Sequence, residues 1–215
     1  MTEDDRNYLK DSLRLKHIKS HCLEVGSAVD WSSCRPFLDQ NEVKTTGIDI
    51  NEGKYVDTII DLEQDLNNIT DSLGKSEGYS TIICFNVLEH VYNPIKVLEN
   101  LTGLLQINGH LLISTPISWP IHAYPDDFWR PLPNFYKTFA RKNGLNIIED
   151  RFQYLGFGPV SKYLGEDGCT GYPPPIKSKF HFLWGRLIHK VFSTFGKEYL
   201  FPNHLAQAAT FIKKG

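Results

Sequence analysis

Two short stretches carry residue types able to hold a nucleoside. Leu23-Glu24-Val25-Gly26-Ser27-Ala28 is an apolar run closing on small residues, and Gly47-Ile48-Asp49-Ile50 is a second apolar run closing on a carboxylate. In a doubly wound sheet, small residues at the first turn let the backbone approach a ligand. An acid about 20 residues on, at the tip of the second strand, grips a ribose diol. What kind of nucleoside sits there decides the chemistry. Two further stretches carry groups that handle protons: Asn86-Val87-Leu88-Glu89-His90, and His122 to Arg130 with Asp126, Asp127 and three aromatic side chains between them.

These residues need strands to carry them. His21 to Ser27 reads as a first buried strand, Val43 to Ile50 as a second and Val56 to Leu62 as a short third. Thr81 to Val87 is a continuous apolar run, the pattern of a central parallel strand covered on both faces. Before the sheet, Thr2 with Asp5 forms a capping box ahead of an amphipathic helix bearing Tyr8, Leu9 and Leu13. Asp30 is the expected N-cap of a helix opening at Trp31. Asn93-Pro94 opens another, with Pro at the tolerated first position and Ile95, Leu98, Leu101 and Leu105 along one face. Asn108-Gly109 turns into a strand from His110 to Thr115, which Pro116 ends. Leu132, Phe135, Tyr136 and Phe139 keep helical spacing until Asn143-Gly144 stops them. Leu145 to Tyr154 and Leu205 to Ile212 are the remaining strands, the last in a hairpin-like antiparallel position. Strands alternating with helices predict an α/β doubly wound sheet in a single domain over residues 1–215.

Composition narrows the partners. The chain has 215 residues, 41% hydrophobic and 13% aromatic, with a formal net charge of -2. That is a globular composition, and the charge makes no electrostatic case for a nucleic-acid partner, whose binders usually carry a basic face. Cys22, Cys34, Cys84 and Cys169 show no metal-ligand spacing. Met1-Thr2-Glu3-Asp4-Asp5 offers no basic leader region and no apolar run approaches the roughly 20 residues of a membrane span, so the expected location is the cytoplasm.

Taken together, the stretches resemble the class I S-adenosylmethionine-dependent methyltransferases, from about Cys22 to Phe152. Glu24-Val25-Gly26-Ser27-Ala28 stands where that family has its acidic, Gly-rich first motif, with Ala28 in place of the usual second Gly. Asp49 falls at the ribose-binding acid, Asp61-Leu62 at the segment flanking the adenine, and Phe85 to Val91 is similar to the "VLEHV" run of many small-molecule methyltransferases. The resemblance implies a Rossmann-like, mostly parallel seven-stranded sheet with an antiparallel edge strand and helices on both faces. It implies S-adenosyl-L-methionine as cofactor, bound by Glu24, Gly26, Ser27, Ala28, Asp49, Ile50, Asp61, Leu62, Asn86, Val87 and Leu88, with Asn86 and Leu88 acting mainly through backbone groups.

Methyl transfer to an alcohol gains from a positioned base, by about 10²–10⁴-fold, whereas a neutral amine needs less help. His122 and His90 are the candidates, with Asp126 or Asp127 orienting His122. The run His-x-x-Pro-x-Asp-aromatic-Trp-Arg resembles a loop of bacterial methyltransferases tied to sugar modification. Tyr124, Asp126 and Trp129 are expected to meet the substrate, while Arg130 pairs with Asp127 to hold the loop. The Asp126-Asp127 pair lacks a third oxygen ligand, so no metal is expected. The substrate expected is a small molecule carrying a hydroxyl, with N-methylation of a small amine the alternative and a catalytically silent binding subunit a third. Residues 157–203 are expected to form a substrate lid whose helix, 178–195, caps the cleft, pairs two copies of the chain or lies on a membrane surface.

Overall fold

Along each central strand, neighbouring residues enter two different cores. Leu23, Ile82, Cys84, Leu111 and Ile113 pack on one face of the sheet, and Cys22, Ile83 and Leu112 on the other. Period-2 alternation with both faces apolar produces the continuous hydrophobic runs seen in the sequence. The computed structural model describes residues 1–119, 121–122, 126–156, 187, 190–191, 194 and 205–215.

In chain order the elements are α1 (Glu3–Arg14), β1 (Cys22–Val25), α2 (Arg35–Gln40), β2 (Thr45–Asp49), β3 (Thr58–Ile59), α3 (Leu66–Leu73), β4 (Tyr79–Phe85), α4 (Pro94–Leu104), β5 (Leu105–Ser118), α5 (Pro133–Lys142), β6 (Leu145–Ile147), β7 (Gln153–Gly156) and β8 (Leu205–Lys213). The sheet runs β3-β2-β1-β4-β5-β8-β6, and β7 also pairs with β8. The first five are parallel. The antiparallel strand expected at this side is β8, which lies between β5 and the edge. Because β6 and β7 pair with successive parts of β8, eight segments fill seven positions. The order reverses at β1 and β4, which makes the crevice at their carboxyl ends the place for a ligand.

The capping box of α1 is present: Asp5 N–H donates to Thr2 Oγ1 at 3.1 Å and Thr2 N–H returns to Asp5 Oδ2 at 2.8 Å. The helix buries Tyr8 and Leu9 in the second core. Several boundaries differ from expectation, each for a local reason. The helix expected at Trp31 begins only at Arg35, since residues 29–33 form a turn closed by Ser33 N–H on the Val29 carbonyl at 3.1 Å. Cys34, not Asp30, is the N-cap, with no side-chain cap, and its own N–H is held by the Glu24 carboxylate. β3 is only two residues long. Pro116 does not end β5: the pairing with β4 stops at Phe85↔Ser114. From there β5 is paired on one side only, where a residue without an N–H is tolerated.

The strand expected over Leu145–Tyr154 is interrupted by a one-turn 3-10 helix at Glu149–Arg151. Arg151 leaves the strand path there to donate to the Tyr8 carbonyl and to Ser12 Oγ, each at 2.8 Å, with its guanidinium 3.9 Å from the Tyr8 ring centroid. Helix α3 has no counterpart in the sequence reading. Of the expected lid, Leu187, Lys190, Val191 and Thr194 are helical and exposed, and the remainder lies outside the described residues. No described helix is long and apolar enough to cross a membrane.

Candidate active site

The crevice begins at the turn after β1. Gly26 has φ +82°, the left-handed region that favours glycine, and its N–H donates to the Ile48 carbonyl at 2.9 Å. A Cβ at this position would come within 2.4 Å of Val87 Cγ2, so the turn closes onto the segment after β4 only because position 26 is bare. Ser27 is buried and its hydroxyl donates to the Ile48 carbonyl at 3.3 Å. Ala28 N–H donates to Asp49 Oδ2 at 3.1 Å, and Asn51 N–H to Asp49 Oδ1 at 2.9 Å. Each Asp49 oxygen thus uses one acceptor site on backbone and keeps another for a ribose hydroxyl. Ile50, next to it, is 62% exposed, an apolar side chain with no core to fill. These residues fit a nucleoside cofactor: a pinched glycine turn, a held carboxylate and an uncovered apolar surface.

Four further residues expected to meet the cofactor are Glu24, Asp61, Leu62 and Leu88. Glu24 is buried and accepts from Ser33 Oγ at 3.1 Å as well as from Cys34 N–H, so its carboxylate serves the turn after β1. Burial pushes its carboxyl above the usual range, against the pull of those bonds. Leu62 is buried in the first core, while Asp61 is exposed and accepts from Glu63 N–H at 2.8 Å. The Leu88 side chain also belongs to that core.

At the end of β4, Asn86 has φ +54° and its N–H donates to the Ser114 carbonyl at 2.8 Å. Its side-chain amide donates to Asp5 Oδ2 at 3.0 Å, and Ser114 Oγ to Asp5 Oδ1 at 2.6 Å. The capping acid of α1 therefore ties that helix to the tips of β4 and β5, a role sequence spacing does not signal. A one-turn 3-10 helix, Leu88–His90, follows. It sends Glu89 inward, where the side chain is fully buried and neither carboxylate oxygen has a hydrogen-bond partner. Burial raises the Glu89 carboxyl to about 8.

The loop after β5 returns over this turn. Phe128 N–H donates to the Glu89 carbonyl at 2.7 Å, and His90 Nδ1 lies 2.6 Å from the Asp126 carbonyl. The Asp126 carboxylate itself belongs to an exposed residue. His122 Nδ1 lies 3.2 Å from Asp127 Oδ2, and Arg130 holds both Asp127 oxygens through its two terminal nitrogens. Those guanidinium bonds depress the Asp127 carboxyl to about 2, so it is a carboxylate at neutral pH. The two imidazoles meet edge to face with centroids 5.0 Å apart. Trp129 packs edge-on against Phe135 of α5, at 4.8 Å, which turns the indole toward that helix. Tyr124 lies outside the described residues. The structure thus gathers His90, His122 and Asp127, expected from sequence, around Glu89, which no role had been given. Its signal was faint: a carboxylate closing an apolar run beside a histidine.

Residues 5–153 match the family described as methyltransferase domain. No curated protein matches the chain. Among solved structures, it is similar to an S-adenosylmethionine-dependent methyltransferase from Archaeoglobus fulgidus, at 14% identity and TM-score 0.54, covering 97% of this chain and 94% of that one. It is similar to a Burkholderia thailandensis 1,6-didemethyltoxoflavin-N1-methyltransferase with bound 1,6-didemethyltoxoflavin and S-adenosylhomocysteine, at 9% identity and TM-score 0.57, covering 99% and 79%. A magnesium protoporphyrin IX methyltransferase from Synechocystis with bound S-adenosylmethionine aligns at 14% identity and TM-score 0.52, covering 98% and 78%. At such identities these likenesses show the fold.

Proposed function

The chain belongs to the methyltransferase-domain family and is a class I S-adenosylmethionine-dependent methyltransferase, and on that premise we propose that its acceptor is a hydroxyl of a small molecule such as a sugar or secondary metabolite. When bound, S-adenosylmethionine supplies an electrophilic methyl group on a sulfonium. The chain's part is to bind, orient and manage a proton. The Gly26–Ala28 turn, Asp49 and Ile50 would hold the nucleoside, with the backbone of Asn86 to Leu88 lining the crevice toward the acceptor.

One observation supports a hydroxyl over an amine. His122 is fixed by the ionised Asp127 and His90 stands beside it, the first past the carboxyl end of β5 and the second past that of β4. A neutral amine attacks through its lone pair and sheds its proton afterwards, whereas an alcohol is a poor nucleophile until its proton is drawn off, so the alcohol gains far more from such a group. Asp127 and Arg130 position His122, and Asp126 reaches His90 through its carbonyl. The buried free thiols Cys22, Cys34 and Cys84 support a reducing compartment, the cytoplasm.

The test is a panel of sugars, phenols and amines with labelled cofactor, run with the wild type and His122→Ala. The variant is expected to lose about 10²–10⁴-fold in turnover on hydroxyl acceptors and to keep its affinity for S-adenosylhomocysteine. Methylation confined to amines, or turnover untouched by the substitution, would overturn the reading.

A further inference from the structure

We propose that Glu89, His90 and His122 form a binding site for a divalent transition-metal ion, and that the ion holds the hydroxyl to be methylated. One ligand atom from each residue lies within 4.8 Å of the others. Bonds to such an ion are about 2.0–2.2 Å long, so small side-chain rotations close the set. The donors come from two elements pinned together: the 3-10 turn after β4 supplies Glu89 and His90, and the loop bonded to it through Phe128 N–H supplies His122.

Glu89 provides the second observation. Neither oxygen of this buried side chain has a hydrogen-bond partner, and ionising it there costs several kcal/mol that the nearby Arg130 charge offsets only in part. Glu89 Oε1 lies 3.9 Å from His90 Nε2. The histidines are arranged for ligation. His90 Nδ1 sits on a backbone carbonyl and His122 Nδ1 on an ionised carboxylate, both acceptors only. Each Nδ1 therefore carries the proton, and ligation falls to Nε2. A histidine whose other nitrogen is tied to a carbonyl or carboxylate is the usual arrangement behind a bound metal.

The donor chemistry selects the ion. Two imidazoles with one carboxylate suit Mn²⁺, Fe²⁺, Co²⁺ or Zn²⁺, whereas Mg²⁺ and Ca²⁺ favour sites made wholly of oxygen. Three protein ligands leave positions open for water or for two adjacent hydroxyls of an acceptor. A hydroxyl bound there gives up its proton to solvent near neutral pH, since the ion withdraws charge from its oxygen. His90 and His122 then serve the acceptor as ligands, with Asp127 behind His122. The set differs from the Asp126-Asp127 pair that sequence brought to mind, and no spacing signals it. The ion's role toward the acceptor rests on the proposed O-methylation, but its binding does not.

The experiment titrates chelator-treated protein with Mn²⁺, followed by electron paramagnetic resonance, and with Zn²⁺ by calorimetry, for the wild type, Glu89→Gln and His122→Ala. S-adenosylhomocysteine binding and the thermal midpoint are recorded for each. The wild type is expected to take up one ion per chain, and each variant to bind it on the order of 100-fold more weakly with cofactor affinity unchanged. Glu89→Gln is isosteric and neutral, so it should fold at least as well without metal. Absence of a stoichiometric ion, or equal affinity in the variants, overturns the site. Ion binding without S-adenosylhomocysteine binding would leave the site standing and count against the function proposed above. The reverse pattern would do the opposite.

Discussion

A single oxygen of Asp127 serves His122 twice: Oδ2 accepts the backbone N–H at 3.0 Å and lies 3.2 Å from the ring Nδ1. Both the place and the tilt of the imidazole are thus set by one carboxylate, itself clamped by Arg130. Asp127→Asn keeps the shape but gives up the charge. It is expected to lower turnover about 10–100-fold, the usual effect of losing an orienting partner behind a working histidine, while leaving S-adenosylhomocysteine affinity unchanged in calorimetry. Equal losses in both would mean that the loop had collapsed.

Gly26→Ala meets two separate obstacles, a φ of +82° and a contact of 2.4 Å with Val87 Cγ2. Backbone strain of this kind costs about 1–3 kcal/mol. Denaturant unfolding should show a loss of that order. Combining it with Val87→Ala relieves the contact but not the strain, so recovery should be partial. Complete recovery would show that only the contact matters.

Asp5 accepts from Asn86, Ser114 and Thr2, and it is buried. Asp5→Ala would leave these donors without an acceptor, at about 1–3 kcal/mol for each one that stays dry. Hydrogen exchange should then quicken throughout α1, with the central strands β1 and β4 far less affected. Uniform exchange across the molecule would show that α1 is not a separable unit.

The strands and the nucleoside end of the crevice were legible because their signals are local. Apolar runs, a glycine at a tight turn and an acid at the next strand tip each declare themselves within a few residues. Ranges shifted where a distant side chain intervened. Glu24 holds the Cys34 N–H, so α2 opens at Arg35 and not after Asp30, and Arg151 broke one strand in two by reaching α1. The short α3, with its narrow apolar face around Ile69, offered too little pattern to register. Glu89 was invisible as a functional group because its meaning depends on His122, which the chain brings back to it only after running through α4 and β5.

Stability should depend on acidity through His110, which is buried beside His17 with ring centroids 5.1 Å apart. Burial, with help from His17 and Lys19, lowers its pKa from 6.5 to about 4. The unfolded chain therefore binds the proton first. The contribution is complete above pH 6.5 and is lost as pH falls toward 4, by at most about 3 kcal/mol. His110→Phe should flatten the acid limb of a plot of unfolding free energy against pH. An unchanged limb would assign it to other groups.

The central claim is that Asp49 and the Gly26 turn hold a nucleoside cofactor at the tips of β1 and β2. Calorimetric titration of S-adenosylhomocysteine into the wild type and Asp49→Ala tests it most directly. The account predicts one site of micromolar affinity in the wild type, weakened by at least about tenfold in the variant, the value of a hydrogen-bonded charge. No binding to the wild type, or the same affinity in both proteins, would contradict it.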